Sequence, residues 1–360
     1  MIKTDSLKKF NFPIFKTRVP RGPIFHLEDR DERSAYFNFK AGKEIKKLKG
    51  YLDKNTFMAF LIGKKNSGKG TYSKMFIEAV GSDNVAHISI GDIVRGVHRD
   101  ISDDGKRKEL VRYLEGKYRG FMEIDDIFDV IEGRGTSKLL PTEVILALVE
   151  REVDKLGRKA IFIDGFPRDL DQVSISLYFR ALMGYRNDPD FFVFISVPDA
   201  VIDERIKLRV VCPKCGTPRG LKLLRTKEVG YDSKRKEFYL ICDNPSCKNI
   251  RMLPKEGDEL GIEAIRDRIE IDDRVSQKLL ELKGVPKIYL RNSIPVALAK
   301  KYVDDYEITP ACHYKQVKGK VEVVERPWTI KDDQGRKAYS LLPAAVALSL
   351  IKQMAESLDF

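Results

Sequence analysis

Residues 56–71 read TFMAFLIGKKNSGKGT, and this stretch decides the fold. Its first half is a short apolar run whose length and composition predict a buried β-strand. The second half, from Gly63 to Thr71, fits the pattern G-x-x-x-x-G-K, with Gly70 between Lys69 and the threonine. Glycines let the backbone wrap a phosphate with its N–H groups pointing inward, and the following helix adds the positive end of its dipole. The stretch therefore predicts a strand, a phosphate-binding loop and a helix in succession.

Three further short apolar runs, at 87–90, 160–163 and 191–197, are separated by stretches with helical periodicity. Strands that alternate with helices favour a parallel sheet covered by helices on both faces. We therefore predict a three-layer α/β fold around a central parallel sheet, with residues 306–310 as a candidate fifth strand.

The two ends of the chain are expected to lie outside this alternation. Residues 1–54 are predicted to be an N-terminal extension, in which 30–53 form a charged helix whose apolar stripe docks on the main domain. Near the other end, 317–338 are predicted to form a hairpin with its turn at 332–335, and 341–358 an amphipathic helix.

The composition describes a basic, highly charged chain. It has 360 residues, 42% of them hydrophobic and 33% charged, with a formal net charge of +12. Such a surplus suits an anionic partner, although a lysine-coated surface would give the same number. The longest apolar runs are too short to cross a bilayer, and the start of the chain lacks the apolar stretch of an export signal. We therefore expect a cytoplasmic protein.

Four of the five cysteines form two close pairs. Cys212 and Cys215 are separated by two residues, and Cys242 and Cys247 by four. Two such knuckles can enclose one tetrahedral Zn²⁺ with four thiolates, which leaves no open coordination site and makes the metal structural. Disulfides are the alternative, although a chain without an export signal favours metal binding. Cys312 is interpreted as an ordinary buried or free thiol.

The phosphate loop and two later segments together resemble the adenylate kinase family. The loop ends in Gly-Lys-Gly-Thr, residues 87–95 read HISIGDIVR, and residues 164–172 read DGFPRDLDQ. All three segments resemble family motifs and occur in the family's order. With the cysteine region, the resemblance covers about 56 to 270, and the joint match is much more specific than the loop alone.

The resemblance implies how the chain is divided. Residues 55–360 would form a phosphate-loop kinase core. Within it, 89–142 would be an enlarged insert that binds the nucleoside monophosphate, and 208–260 a zinc-ribbon-like lid. A C-terminal hairpin and helix would occupy 317–360.

The resemblance also assigns residues to the two nucleotides. ATP would be bound by Asn66, Ser67, Gly68, Lys69, Gly70, Thr71, Arg205 and Arg209. AMP would be bound by Ile90, Arg95, Lys138, Leu139, Leu140, Gly165, Arg168 and Gln172. The residues expected to act on the transferring group are Lys69, Arg95, Arg168, Arg209, Arg268 and Asp164. Arginine suits these positions because its planar fork grips phosphate oxygens in pairs.

Two carboxylates are candidate ligands of Mg²⁺ through water. Asp164 ends an apolar strand, where a Walker B aspartate stands. Asp92 resembles a second family carboxylate, although it could equally cap the helix that begins beside it.

The activity that this resemblance implies is reversible, Mg²⁺-dependent transfer of the γ-phosphoryl group of ATP to AMP, giving two ADP. Such transfer needs positive charge, alignment of the two nucleotides and exclusion of water rather than a protein nucleophile. Gln172 favours AMP over pyrimidine acceptors, because an amide pairs with the donor and acceptor edge of adenine. The expected partners are ATP, AMP and ADP, with no membrane or nucleic acid, and the protein is expected to be a monomer.

The sequence departs from the family pattern in two places and leaves alternatives open. Ile90 stands where a threonine is usual, and the lid arginine before an acidic pair is missing, with Lys255 as the nearest substitute. The alternatives are a GTP:AMP or UMP/CMP kinase, an inactive relative, or a nucleic-acid-binding ATPase that uses a zinc ribbon.

Overall fold

The computed structural model describes residues 10–132, 140–165, 181–255 and 257–358. The α-helices in these ranges are α1 (Arg30–Leu52), α2 (Lys69–Val80), α3 (Ile90–Asp100), α4 (Asp104–Lys117), α5 (Ile124–Ile131), α6 (Thr142–Leu156), α7 (Asp199–Lys207), α8 (Arg266–Glu281), α9 (Val296–Tyr302) and α10 (Pro343–Ser357). Short 3-10 helices lie at Pro245–Cys247, Asp258–Ile265 and Asp305–Glu307.

The strands are distributed over one large and several small sheets. They are β1 (Met58–Gly63), β2 (Val85–Ser89), β3 (Ala160–Asp164), β4 (Asp190–Ser196), β5 (Arg209–Val211), β6 (Pro218–Gly220), β7 (Val229–Asp232), β8 (Glu237–Leu240), β9 (Leu253–Pro254), β10 (Lys287–Arg291), β11 (Ser293–Pro295), β12 (Pro310–Val317), β13 (Lys320–Pro327), β14 (Ile330–Lys331) and β15 (Lys337–Ser340).

The large sheet is five-stranded, in the order β10-β4-β1-β3-β2, and all of its strand pairs are parallel. Its side chains alternate between two cores. In β1, Ala59 and Leu61 belong to one cluster of buried residues, while Met58, Phe60 and Ile62 belong to the other. Helices cover both faces, which confirms the three-layer α/β fold. Because the strands are parallel, their carboxyl ends meet along one edge of the sheet.

The fifth strand of this sheet is β10, so the prediction of a strand at 306–310 is wrong. Residues 305–307 form a 3-10 turn instead. In β10, buried Ile288 and Leu290 alternate with half-buried neighbours, because this strand lies at the edge of the sheet. Its sequence therefore lacks the continuous apolar run that identified the central strands.

The C-terminal hairpin is also placed differently from the prediction. β13 pairs with the preceding strand, β12, in an antiparallel hairpin whose turn is at Lys318 and Gly319, which both have positive φ. Such a turn matches the twist of the two strands. The predicted turn at 332–335 does exist, but it joins the short strands β14 and β15.

Helix α1 is held against the 3-10 turn before β12 by a buried ion pair. The Lys40 Nζ atom donates to Glu307 Oε1 at 2.7 Å and to Asp304 Oδ2 at 2.6 Å. Glu307 is fully buried, and it also accepts hydrogen bonds from the hydroxyls of Tyr36 and Thr17. Burial would lower the pKa of Lys40, but the charge of Glu307 raises it above the ordinary lysine value. The N-terminal segment is thereby tied to residues almost three hundred positions later.

Two smaller cores lie beside the main one. Helices α3 to α6 share a cluster that includes Val97, Leu110, Phe128 and Leu148. The cysteine region has its own small cluster, built around Val210, Leu240, Met252 and the cysteines. Across the described ranges, the structure contains no helix with the length and apolarity needed to cross a membrane.

The Lys40 pair makes a prediction about stability. Lys40→Met leaves the carboxylate of Glu307 buried without its cation, which should lower the free energy of unfolding by about 3–5 kcal/mol. Urea denaturation measures this change. Lys106→Met, which removes an exposed partner of Asp100, is the control and should change little. A loss below about 1 kcal/mol for Lys40→Met would show that the pair does not hold α1 in place.

Candidate phosphate-binding site and cysteine cluster

The glycine-rich loop leaves the carboxyl end of β1 and enters α2 at Lys69. Gly68 has φ +97°, in the left-handed region, and a Cβ atom there would lie 2.9 Å from the Tyr72 ring. Asn66 also has a positive φ of 65°. This backbone directs the loop around the N-terminus of α2, where free N–H groups and the helix dipole favour an anion.

Lys69 lies across the mouth of this loop. Its Nζ atom donates to the carbonyl oxygens of Gly63 and Lys64 at 2.8 and 3.0 Å, and lies 3.8 Å from Asp164 Oδ1. Asp164 is the last residue of β3, which pairs with β1. The parallel sheet therefore places an ammonium and a carboxylate side by side at the edge where phosphate would bind.

The loop is anchored from behind by Lys64. This side chain is only 8% exposed, and its Nζ atom lies 2.6 Å from Asp199, 3.2 Å from Asp333 and 3.8 Å from Asp273. Burial would lower the pKa of Lys64, but the three carboxylates together raise it above the ordinary lysine value. The next residue, Lys65, donates its backbone N–H to Asp272 Oδ2 at 2.7 Å. Helices α7 and α8 and the β14–β15 turn are thus all attached to the loop.

Several cations meet at the outer side of the loop. The pKa of Lys65 is lowered by burial and then by the positive charges of Lys255, Arg209 and Arg268. Two of these cations are themselves paired with carboxylates, Arg209 with Asp258 and Arg268 with Asp272. Burial likewise raises the pKa of Asp272, although Arg268 and Lys69 oppose the shift. The side chains around the loop therefore offer positive charge to an anionic ligand.

Two predicted arginines contact the loop directly. Arg209 forms a two-pronged ion pair with Asp258, at 2.6 Å for each prong, and donates to Asn66 Oδ1 at 3.0 Å. Arg205, one turn earlier in α7, donates to the carbonyl of Ser67 at 3.4 Å. Lys255, which we suggested as a substitute for a lid arginine, lies exposed beside Lys65.

A cleft of about 530 Å³ opens beside the loop. The loop residues from Asn66 to Thr71, Asp164, Arg205 and Arg209 line one part of it. The remaining walls come from α1, α2, the cysteine region and the segment before α10. This volume is within the usual range for a small-molecule site.

The remaining predicted residues either do not line this cleft or lie outside the described ranges. Arg95 pairs with Asp92 on its own helix, and both side chains are exposed. Arg268 pairs with Asp272 at 2.9 Å. Ile90 is buried in the core, Leu140 packs on the helical insert, and Gly165 follows β3 with φ +93°. The predicted AMP-binding residues Lys138, Leu139, Arg168 and Gln172 lie outside the residues that the structure describes.

The four paired cysteines form one cluster. Their sulfur atoms all lie within 4.8 Å of one another, with Cys212 and Cys247 3.8 Å apart and Cys215 and Cys242 3.7 Å apart. A tetrahedral Zn²⁺ with Zn–S bonds of about 2.3 Å requires its sulfurs to be separated by roughly 3.8 Å. Disulfide sulfurs would be about 2 Å apart. The donors therefore fit a structural zinc ion, while Cys312 is buried outside the cluster.

The C-terminal hairpin packs on the cysteine region, which the sequence did not predict. The Cys312 N–H donates to the carbonyl of Lys222 at 2.8 Å, and the Tyr314 hydroxyl donates to the carbonyl of Leu221. Arg225 donates to Glu325 at 3.2 Å. The cysteine region is therefore attached to the rest of the protein through this hairpin as well as through its own two ends.

Sequence reasoning also missed Lys64 and the residues before α10 that line the cleft. A lysine inside a phosphate loop reads as a surface charge unless its aspartate partners are known. Those partners lie 135, 209 and 269 positions further along the chain. The one local signal was the position of Lys64, which follows an apolar run and a glycine.

Adenylate kinases from several organisms are similar to this chain. That of Staphylococcus epidermidis is 30% identical over 232 residues, which cover 63% of this chain and 88% of the relative. That of Thermotoga petrophila is 29% identical over 236 residues, with coverages of 64% and 89%. That of Clostridium novyi is 29% identical over 222 residues, with coverages of 61% and 83%. No protein-family profile matches the chain.

The parallel sheet, the glycine-rich loop at the end of β1 and the helix that follows define a phosphate-loop nucleotide-binding protein. Given the extent of its similarity to these relatives, the chain belongs to the adenylate kinase family. Membership supports a nucleoside monophosphate kinase, and hence a phosphotransferase with nucleotide substrates.

The Lys64 anchor leads to a prediction for the loop. Lys64→Met should lower the free energy of unfolding by about 3 kcal/mol, because three partly buried carboxylates lose their shared cation. It should also weaken nucleotide binding, for which ATP is the probe, because the loop N–H groups lose their fixed orientation. Urea denaturation and titration calorimetry measure the two effects. Lys64→Arg keeps the positive charge, so its free energy of unfolding and its ATP affinity should lie between those of Lys64→Met and the natural protein. An ATP affinity that is unchanged in Lys64→Met would contradict the anchoring role.

The cysteine cluster predicts one bound zinc ion per chain. Cys247→Ser should abolish stoichiometric zinc, as measured by mass spectrometry of the purified protein, and should lower the midpoint of thermal unfolding. Cys312→Ser is the matched control, because it also removes a buried thiol but leaves the cluster complete. If the natural protein contains no zinc, or if Cys312→Ser loses as much zinc as Cys247→Ser, the prediction of this metal site is wrong.

Proposed function

We propose that this protein is an adenylate kinase, which transfers the γ-phosphoryl group of ATP to AMP and also catalyses the reverse reaction. The observation that carries the proposal is the glycine-rich loop at the N-terminus of α2, with charged side chains held against it. Lys69 and Asp164 lie 3.8 Å apart beside the loop, and Arg205 and Arg209 donate to Ser67 and Asn66 within it. A backbone that offers free N–H groups among such cations suits a ligand as highly charged as a nucleotide phosphate.

The donor is proposed to lie in the cleft beside the loop. The backbone N–H groups from Asn66 to Thr71 would hold its phosphates, and Lys69 would follow the transferring group. Arg209 would turn from Asp258 towards the phosphates, and Arg205 would pack on the base. These groups act by position and charge, so the negative charge that develops during transfer meets dipoles already in place.

The acceptor is proposed to bind against the helical insert, on the other side of Asp164. Arg95 and Arg168 would hold its phosphate, and Gln172 would contact its adenine. Ile90, Lys138, Leu139, Leu140 and Gly165 would complete the pocket. Because Ile90 offers no hydroxyl, the backbone and the glutamine would provide the polar contacts with the base.

Mg²⁺ fits the oxygen donors at the phosphate edge. Asp164 and Thr71 both line the cleft, and oxygen ligands such as a carboxylate and a hydroxyl suit this ion. When bound, the ion would neutralise charge on the phosphates of ATP. Asp92 is proposed to contribute through water, which would require it to leave Arg95.

Exclusion of water is proposed to depend on two parts that border the site. The zinc-stiffened lid at 208–260 has a small core of its own, whereas the insert at 89–142 shares its core with α6. The lid could therefore move as a unit when nucleotides bind, and the insert would have to move on or with α6. Closure would prevent water from taking the place of the acceptor phosphate.

The decisive experiment is an assay of ADP formation from ATP with AMP, CMP, UMP or GMP as the acceptor. We expect AMP to give by far the highest kcat/KM. Lys69→Met should reduce the rate by at least about 100-fold, because it removes a charge that follows the transferring group. Lys74→Met, which removes a lysine further along the same cleft-lining helix, is the control and should retain most of the activity.

Two results would contradict this proposal. Preference for CMP or UMP would indicate a pyrimidine nucleotide kinase, and full activity in Lys69→Met would exclude the mechanism. Salt-sensitive RNA binding without any AMP-dependent ADP formation would instead favour a nucleic-acid-binding ATPase.

A further inference from the structure

The far wall of the cleft is built by parts of the chain outside the phosphate loop. Thr309, Ser340 and Pro343 line it, together with apolar side chains from α2 and the lid. These apolar residues are Met75, Leu208, Leu223 and Leu224. An apolar wall with a few fixed polar groups is the usual surface against which a flat heterocyclic base binds.

The polar groups of this wall form one hydrogen-bonded chain. The Asn292 amide Nδ2 donates to the carbonyl of Leu341 at 2.9 Å and to the Tyr72 hydroxyl at 3.3 Å. The amide oxygen of Asn292 is therefore left as an acceptor, and the Ser340 hydroxyl donates to it at 2.9 Å. The Thr309 hydroxyl in turn donates to the Ser340 oxygen at 3.5 Å.

The donor-to-acceptor direction of these hydrogen bonds is determined by Asn292. Asn292 is fully buried, and its Nδ2 atom, rather than its Oδ1 atom, must face the Leu341 carbonyl, because a carbonyl accepts hydrogen bonds and does not donate them. The proton of Ser340 is consequently used on Asn292, and the acceptor for the proton of Thr309 is Ser340, across a longer contact of 3.5 Å. The lone pairs of the Thr309 oxygen remain, on a residue that lines the cleft. Thr309 therefore has an acceptor to offer a base, which requires its oxygen rather than its methyl group to face the cleft.

We propose that Thr309 is a specificity-determining residue that favours a donor nucleotide with a 6-amino group over one with a 6-oxo group. This inference rests on the proposed function, because it takes the cleft as the donor site. The amino group of adenine would donate to the Thr309 oxygen. The carbonyl of guanine would face the same lone pairs, and Thr309 could serve it only by giving up its bond to Ser340. Of the described side chains, Ser340 alone has an oxygen within hydrogen-bonding distance of the Thr309 hydroxyl.

The wall that would contact the base is connected to the phosphate loop through Tyr72. Tyr72 receives the hydrogen bond from Asn292, and its ring lies against Gly68. The position of the base wall is therefore fixed relative to the loop that would hold the phosphates.

The test is equilibrium binding of ATP and of GTP, each without Mg²⁺, measured by titration calorimetry. The natural protein should bind ATP more tightly than GTP. Thr309→Val keeps the shape but removes the acceptor, and it should weaken ATP binding roughly fivefold, which is the effect of one neutral hydrogen bond, while GTP binding stays within about twofold. Thr309→Ser restores the hydroxyl and should restore most of the ATP affinity.

A second variant tests the direction of the chain. Ser340→Ala removes the acceptor that holds the Thr309 proton, so the Thr309 hydroxyl can then donate to a base. The ratio of ATP affinity to GTP affinity should therefore fall while GTP binding improves. This variant also decides the matter if Thr309→Val fails to fold, which its thermal unfolding would reveal.

The outcomes separate this inference from the proposed function. Equal weakening of ATP and GTP in Thr309→Val, no weakening of either, or tighter binding of GTP by the natural protein would overturn the role of Thr309. Binding that discriminates as described, in a protein that forms no ADP from ATP and AMP, would support Thr309 and reject the proposed reaction instead.

Discussion

The ion pairs of Lys64 are the interaction on which the rest of the site depends. A phosphate loop can bind only if its N–H groups point to one place, and a glycine-rich backbone does not hold that shape by itself. Lys64 is buried among three aspartates that come from α7, α8 and the β14–β15 turn. The same two helices carry Arg205 and Arg268. One buried cation therefore sets the loop and the arginines in a common frame.

This frame extends to both ends of the chain. Glu307 ties α1 to the turn before β12 through Lys40, and the hairpin of β12 and β13 leads from there to the cysteine region. The lid proposed for this enzyme is thus in contact with a segment that is itself anchored in the core. Opening would have to break the Arg225–Glu325 pair and the backbone hydrogen bond from Cys312 to Lys222, or carry the hairpin along.

The arginines expected to bind phosphate are paired with carboxylates of the protein. Arg209 is paired with Asp258 and Arg95 with Asp92, so each has a partner before any phosphate arrives. The pKa of Lys65 is lowered by burial and by the positive charges of Lys255, Arg209 and Arg268. Nucleotide phosphates would relieve that repulsion and compete with the carboxylates for the arginines. Binding is therefore expected to rearrange ion pairs, which is a physical link between ligand and conformation.

The sequence by itself determined the features that a few neighbouring residues encode. These are the strand and loop at 56–71, the alternation of strands and helices, and the four cysteines, whose spacing brings their sulfurs together once the chain turns. The tertiary structure alone decided which strand completes the sheet, what neutralises Lys64 and which distant residues line the cleft. β10 was missed because an edge strand needs no continuous apolar run. The partners of Lys64 and Thr309 lie in distant segments, and their meeting depends on topology, which local periodicity does not specify.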